Sequence, residues 1–139
     1  MKDRSISRYD SGDKRFRTTT IATASAAVAT ILKMGHYSTS GAFSVQDIVT
    51  TQNQLLNLAK EILPDVEWIV NAASTQELAS KANEAFRTDP NSRLGSIFQK
   101  AVSIFSPEYP SDFGEADNAE LGIRMMDETQ LKEVLKTFV

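Results

Sequence analysis

Cysteine is absent from the 139 residues, which removes thiol nucleophiles, disulfide staples and thiolate metal sites, and leaves nothing to indicate an oxidising compartment. Histidine occurs once, as His36, next to Gly35 and close to Ser38 and Ser40. No G-x-S-x-G turn surrounds either serine, and a lone imidazole at a helix end is suited to meeting the helix dipole rather than to acting as a base. The six glycines are scattered. They form neither of the spacings that cradle phosphates, so nucleotide hydrolysis and dinucleotide redox chemistry lack their usual signature. The uncharged, Ala-rich stretch 21–32 is shorter than the ~20 residues that cross a bilayer. It is also poor in leucine and follows Asp3, Asp10 and Asp13, which argues against a secretory leader.

What is present describes an ordinary globule. Apolar residues make up 41% and charged residues 24%, so neither disorder nor a low-complexity fibre is favoured. A chain of about 150 residues buries about 68–70% of its unfolded surface, enough for one core. The expected setting is cytoplasmic, or within a virion or another intracellular assembly.

The net charge of −3 conceals an uneven distribution. Residues 1–17 hold six basic and three acidic groups, a net of +3, whereas residues 107–139 hold three basic and eight acidic groups, a net of −5. Residues 1–17 have no hydrophobic period and read as a basic, extended N-terminal arm; residues 18–139 read as a single helical domain. In the arm Lys2, Arg4, Arg8, Lys14, Arg15 and Arg17 alternate with Tyr9 and Phe16, a mixture able to neutralise phosphates and stack on bases, or to lie on an acidic protein surface.

Five helices are expected. A threonine at 18, 19 or 20 caps the first, whose stripe of Ile21, Ala24, Val28, Ile31 and Leu32 ends near Met34; its small side chains would let another backbone approach closely. Ser44 and Asp47 suggest the start of a second helix, carried by Val45, Ile48, Val49, Leu55, Leu56, Ala59, Ile62 and Leu63 and stopped by Pro64. Ser74 with Glu77 opens a third, Asp89 with Pro90 a fourth bearing Leu94, Ile97, Phe98, Ala101, Ile104 and Phe105, and Asp127 a fifth with Leu131, Val134, Leu135 and Phe138 inside. The fold class is mainly α, a compact bundle of about five helices. The alternative is α+β, with a small pairing of 66–70 and 121–125.

The loop 106–118 is acidic. Asp112, Glu115, Asp117, Asn118 and Glu120 offer oxygen ligands, but their spacing misses the alternation of a calcium loop, so no metal is expected, and no cofactor. Glu108, Tyr109, Asp112, Phe113, Glu115 and Asp117 instead form a candidate docking loop for a neighbouring subunit's arm. Gln52, in line with Leu55, Leu56 and Ala59, is a candidate for a polar group that fixes register. The function expected from the sequence is therefore non-enzymatic: a self-assembling structural or adaptor subunit, a homo-oligomer or part of a larger protein assembly, with no membrane partner. The alternative is a small nucleic-acid-binding regulator that grips phosphate with its arm.

Overall fold

The structure, a computed structural model, describes residues 4–34, 42–112 and 114–139. Among them the order is β1 (Ser5–Tyr9), β2 (Phe16–Thr18), α1 (Ile21–Met34), β3 (Ile48–Thr50), α2 (Gln52–Ile62), β4 (Ile69–Ala73), α3 (Thr75–Thr88), α4 (Arg93–Phe105) and α5 (Glu128–Lys136). Helices dominate, so the fold is mainly α, with two small sheets. α3 packs on α4, and α2 on α5.

Caps account for most helix starts. Thr20 Oγ1 accepts from Thr23 N at 3.2 Å, opening α1. Thr51 and Gln54 form a reciprocal capping box on α2, and Asp127 with Gln130 does the same for α5. Ser74 caps α3 by accepting from Glu77 N.

Two helix starts differ from expectation. Residues 45–50 are not the first turns of α2: Ile48, Val49 and Thr50 are β-branched, stiff at χ1 and suited to a pleated surface, and they form β3. α4 begins at Arg93, capped by Ser92, because Asp89 already closes α3 and turns its carboxylate onto Asn91 N at 2.9 Å. The inward stripe of α4 consequently runs through Gly95 and Val102, leaving Leu94, Ile97 and Ile104 exposed. Gly95 is a packing requirement, since a Cβ there would sit 3.0 Å from the Phe86 ring. Phe138, expected inside, is 78% exposed, in the hydrogen-bonded turn that follows α5.

The larger revision concerns residues 4–18. They are extended, as expected, but they belong to the body. β1 runs parallel to β4 in the register Ser5↔Ile69 through Tyr9↔Ala73, and β2 runs antiparallel to β3 with Phe16 opposite Thr50. A strand presents its amides and carbonyls alternately to its two edges, and β4 and β3 satisfy those on one edge of β1 and of β2 within the chain. The pairing of 66–70 with 121–125 does not form. β4 takes β1 instead, and the amides of Leu121 and Ile123 are spent locally on Asp117 O and Asn118 O, in a turn where Gly122 has φ 64°.

The connection after β1 is held by α2. Tyr9 N donates to Gln52 Oε1 at 2.8 Å, so the buried Gln52 ties α2 to the end of β1 instead of lying in a seam between helices. Asn53 Nδ2 donates to Ser11 O at 3.0 Å and to Asp13 Oδ1 at 2.6 Å. Gly12 lies between them with φ 77°, and a Cβ there would fall 2.7 Å from Asn53 Oδ1 and 2.8 Å from Arg8 Cγ. A side chain at that φ costs about 1–2 kcal/mol. Gly12→Ala is therefore expected to lower the free energy of unfolding by at least about 1 kcal/mol, read as a shifted urea midpoint with unchanged slope.

Candidate functional site

The seam between the N-terminal segment and the acidic loop is where most of the expected site residues lie. Arg15 and Arg17 both reach Asp112, at 3.3 and 3.5 Å. The Arg17 side chain is only 7% exposed; it also donates to Ser44 Oγ at 2.9 Å and to the carbonyl of Gly114. Lys14 Nζ donates to the carbonyls of Ser106 and Tyr109, and burial pulls its ammonium below the ordinary lysine value. Tyr9 stacks on Phe105 with ring centroids 4.9 Å apart, and Phe16 meets the same ring edge-on at 5.2 Å. Charge complementarity between segment and loop is thus realised inside one chain, where the sequence suggested contact between neighbours.

Backbone-like hydrogen bonds complete the seam. Ser111 accepts from Arg17 N at 3.1 Å through its carbonyl and donates its hydroxyl to Arg15 O at 3.1 Å. Asn118 binds the Gln46 backbone twice, accepting from its N–H at 3.0 Å and donating to its carbonyl at 2.7 Å, with both residues buried. Asp117 accepts from Ser44 N at 2.7 Å. An asparagine or aspartate side chain can thereby act as an extra strand residue for the segment before β3.

Of the other expected site residues, Arg4 is half-buried and gives its carbonyl to Ile69 N at 2.9 Å. Arg8 is half-buried beside Gly12. Glu108 and Glu115 are exposed, as is Tyr109. Lys2, His36, Ser38, Ser40 and Phe113 lie outside the described residues.

Two surface features carry the remaining functional interest. The first is a cleft of about 370 Å³ at the carboxyl ends of β1 and β4, lined by Asp10, Ser74, Thr75, Tyr109 and others. Such a position at the start of a helix often receives an anion. Here Asp10, at φ 51°, fills that role itself, accepting from Thr75 N at 3.0 Å and from Thr75 Oγ1 at 2.6 Å. Among the described residues no cluster of three or more His, Asp or Glu side chains is arranged to hold a metal ion.

The second feature is α1. Most of the stripe expected to face the core faces outward instead: Ile21 is 87%, Val28 57% and Leu32 77% exposed, Ala24 is exposed with Ser25 and Ala29 beside it, and Ile31 alone of the expected stripe is half-buried. Within α1 only Ala27 is buried, on the opposite side. The physical reason lies in how the helix is attached. Asp47, itself buried, accepts from Thr20 N and from Thr23 Oγ1 at 2.5 Å. That contact turns the Thr23 and Ala27 side of α1 toward the body, so the bulkier side is left in solvent. The stripe is continuous over residues 21–32 and contains no charged residue. No described helix is long and apolar enough to cross a membrane.

Comparison with protein-family models, curated proteins and solved structures found no match to this chain.

The seam yields a contrast in stability. Asn118→Ala strands the buried N–H and carbonyl of Gln46 and is expected to cost about 2–6 kcal/mol, because each unsatisfied buried group costs about 1–3 kcal/mol. Asp112→Asn removes the charge opposite Arg15, which is largely exposed, and Arg17, which is buried but keeps its bonds to Ser44 and Gly114, and leaves an amide oxygen able to accept; it is expected to cost less than Asn118→Ala. Chemical denaturation of the two variants under identical conditions checks the ranking.

Proposed function

We propose that the protein is a non-enzymatic, self-assembling structural or adaptor subunit whose contact element is α1, with the N-terminal segment a fixed part of the body that presents it. The single observation carrying this reading is the outward stripe of α1. Large apolar side chains scattered singly on a surface are normal, but a contiguous band on one helix, free of charge for twelve residues, is a feature of surfaces that meet another surface. In such an assembly the compact helical bundle expected from the sequence would be completed between copies, α1 gaining there the packing it lacks on its outer side.

The magnitudes fit an assembly of moderate strength. Fully burying a Val, Leu or Ile side chain contributes about 1.5–3 kcal/mol, so six such side chains from two copies would contribute roughly 9–18 kcal/mol. The lost freedom of association costs about 4–15 kcal/mol. The balance favours a concentration-dependent complex over a permanent one.

The rival reading, a regulator whose basic segment holds nucleic acid, has less support. Arg15 and Arg17 already point at Asp112, Lys14 is turned to two backbone carbonyls, and Tyr9 and Phe16 are stacked on Phe105 rather than available to bases.

Sedimentation or light scattering over a range of concentrations tests the proposal. The wild type is expected to exceed 15.3 kDa with rising concentration, Val28→Asp is expected to stay at monomer mass, and 1 M salt is expected to leave the wild-type mass unchanged. A wild type that remains a monomer throughout would overturn the reading. An assembly that dissolves in salt would return the contact to the charged segment and loop. Salt-sensitive binding of DNA or RNA would favour the rival.

A further inference from the structure

We infer that the partner of α1 is the α1 of a second copy, lying antiparallel across a two-fold axis so that residue numbers of facing positions sum to 53. This rests on the assembly reading above and adds the identity, direction and register of the contact.

A two-fold contact requires one surface patch to complement itself: if position i faces position j, then j faces i. The exposed stripe of α1 meets that requirement in size. Folded back on itself about a point between residues 26 and 27, it sets Ile21 opposite Leu32 at both ends, Ala24 opposite Ala29, and Ser25 opposite Val28. The two bulkiest and most exposed residues close the ends of the contact. The alanine pairs lie inside them, where small side chains let two helix backbones approach. A parallel arrangement would set Ile21 on Ile21 and Leu32 on Leu32 with alanines likewise facing alanines, and would lay the two helix dipoles side by side in the same direction.

Charge separates this partner from the others available. The stripe carries no charged side chain from Ile21 to Leu32, so meeting itself desolvates none. The other exposed apolar row, Leu94, Ile97 and Ile104 on α4, has Arg93 and Lys100 on its flanks, whose charged heads α1 has no acid to pair. A lipid surface suits a helix whose polar face is rich in lysine and arginine; α1 offers Lys33 alone, and the side opposite its stripe is packed on the body through Ala27. The helix dipoles of an antiparallel pair also run in opposite directions, each N-terminus beside the partner's C-terminus.

The absence of cysteine makes the register directly testable, because any introduced thiol is the sole one in the chain. A disulfide needs Cα atoms about 4.4–6.8 Å apart. In the antiparallel register position 24 of one copy faces position 29 of the other, so the two copies' positions 24, like their positions 29, are offset by about 7.5 Å along the axis and cannot bridge. Two single variants, Ala24→Cys and Ala29→Cys, are each oxidised alone and then as an equal mixture of full-length chains, and examined by non-reducing electrophoresis and mass spectrometry. The expected result is little covalent dimer from either alone and at least a fivefold increase in the mixture, with the 24–29 crosslink recovered after proteolysis. Efficient self-linking of either single variant would overturn the antiparallel register and indicate parallel helices. No crosslink in the mixture, while wild type and both variants dimerise by mass and Val28→Asp does not, would overturn the pairing but leave assembly through α1 standing; the α4 row of the second copy is then the surface to examine. A wild type that is monomeric at all concentrations would overturn both, and its capture by phosphatidylcholine vesicles, lost in Val28→Asp, would identify a lipid surface as the occupant.

Discussion

The buried carboxylate of Asp47 is the interaction on which the arrangement of this protein depends. Its backbone N–H donates to Thr18 O at 2.8 Å, continuing the β2–β3 ladder, and its carbonyl accepts from Met126 N at 2.7 Å, tying in the segment that leads to α5. Its side chain meanwhile takes the amide of Thr20, the capping residue just before α1, and the Thr23 hydroxyl in the first turn. An anion is favoured at a helix start, and an ionised carboxylate away from water needs donors; each requirement is met by the other. Four chain segments meet at one residue. The direction in which α1 leaves the body, and hence the side it shows to solvent, follows from that geometry.

The N-terminal segment shows how a correct reading of charge can be assigned to the wrong level of organisation. Its basic groups and the acidic loop do attract one another, but Arg15, Arg17 and Asp112 meet within one chain. Strand pairing decides this. Ser5–Tyr9 and Phe16–Thr18 present backbone groups that must be paired, and the ladder with β4 and β3 gathers the segment onto the body before surface charge can direct it elsewhere. Exposed ion pairs are worth little by comparison. The aromatic side chains follow the backbone: with the two strands in place, Tyr9 and Phe16 converge on Phe105.

Local features were legible in the sequence and non-local ones were not. The caps at Ser74 and Asp127, a threonine cap among residues 18–20 and the loop 106–118 could be read because each is decided by a few adjacent residues, whereas a strand near Ile69 was legible only as the alternative, with another partner. Asp47 and Thr51 show the limit: with the run Ile48–Thr50 assigned to the helix, Asp47 seemed a cap for α2, whereas it caps α1 and Thr51 opens α2. The partner of β4 lies more than sixty residues away and could not be deduced from its own pattern. Nor could the use of Asn118 and Ser111 as strand mimics, since polar residues in an acidic loop look alike until a backbone is laid beside them.

The outward stripe of α1 was the hardest feature to read, for a reason that bears on function. A helix packed on its own core and a helix packed on another molecule obey the same periodicity, so the pattern records that a face is apolar without recording what covers it. The small side chains of α1 would let another backbone approach closely, and they belong to the same pattern. α1 departs from an ordinary surface helix in having no charged residue on either side until Lys33. Charge on a flank is the usual means of keeping such a face from association, and its absence over three turns leaves association unopposed. A chain that fixes its basic segment and its acidic loop to each other, and leaves a neutral helix facing solvent, has separated the forces that hold its fold from those available to hold a partner.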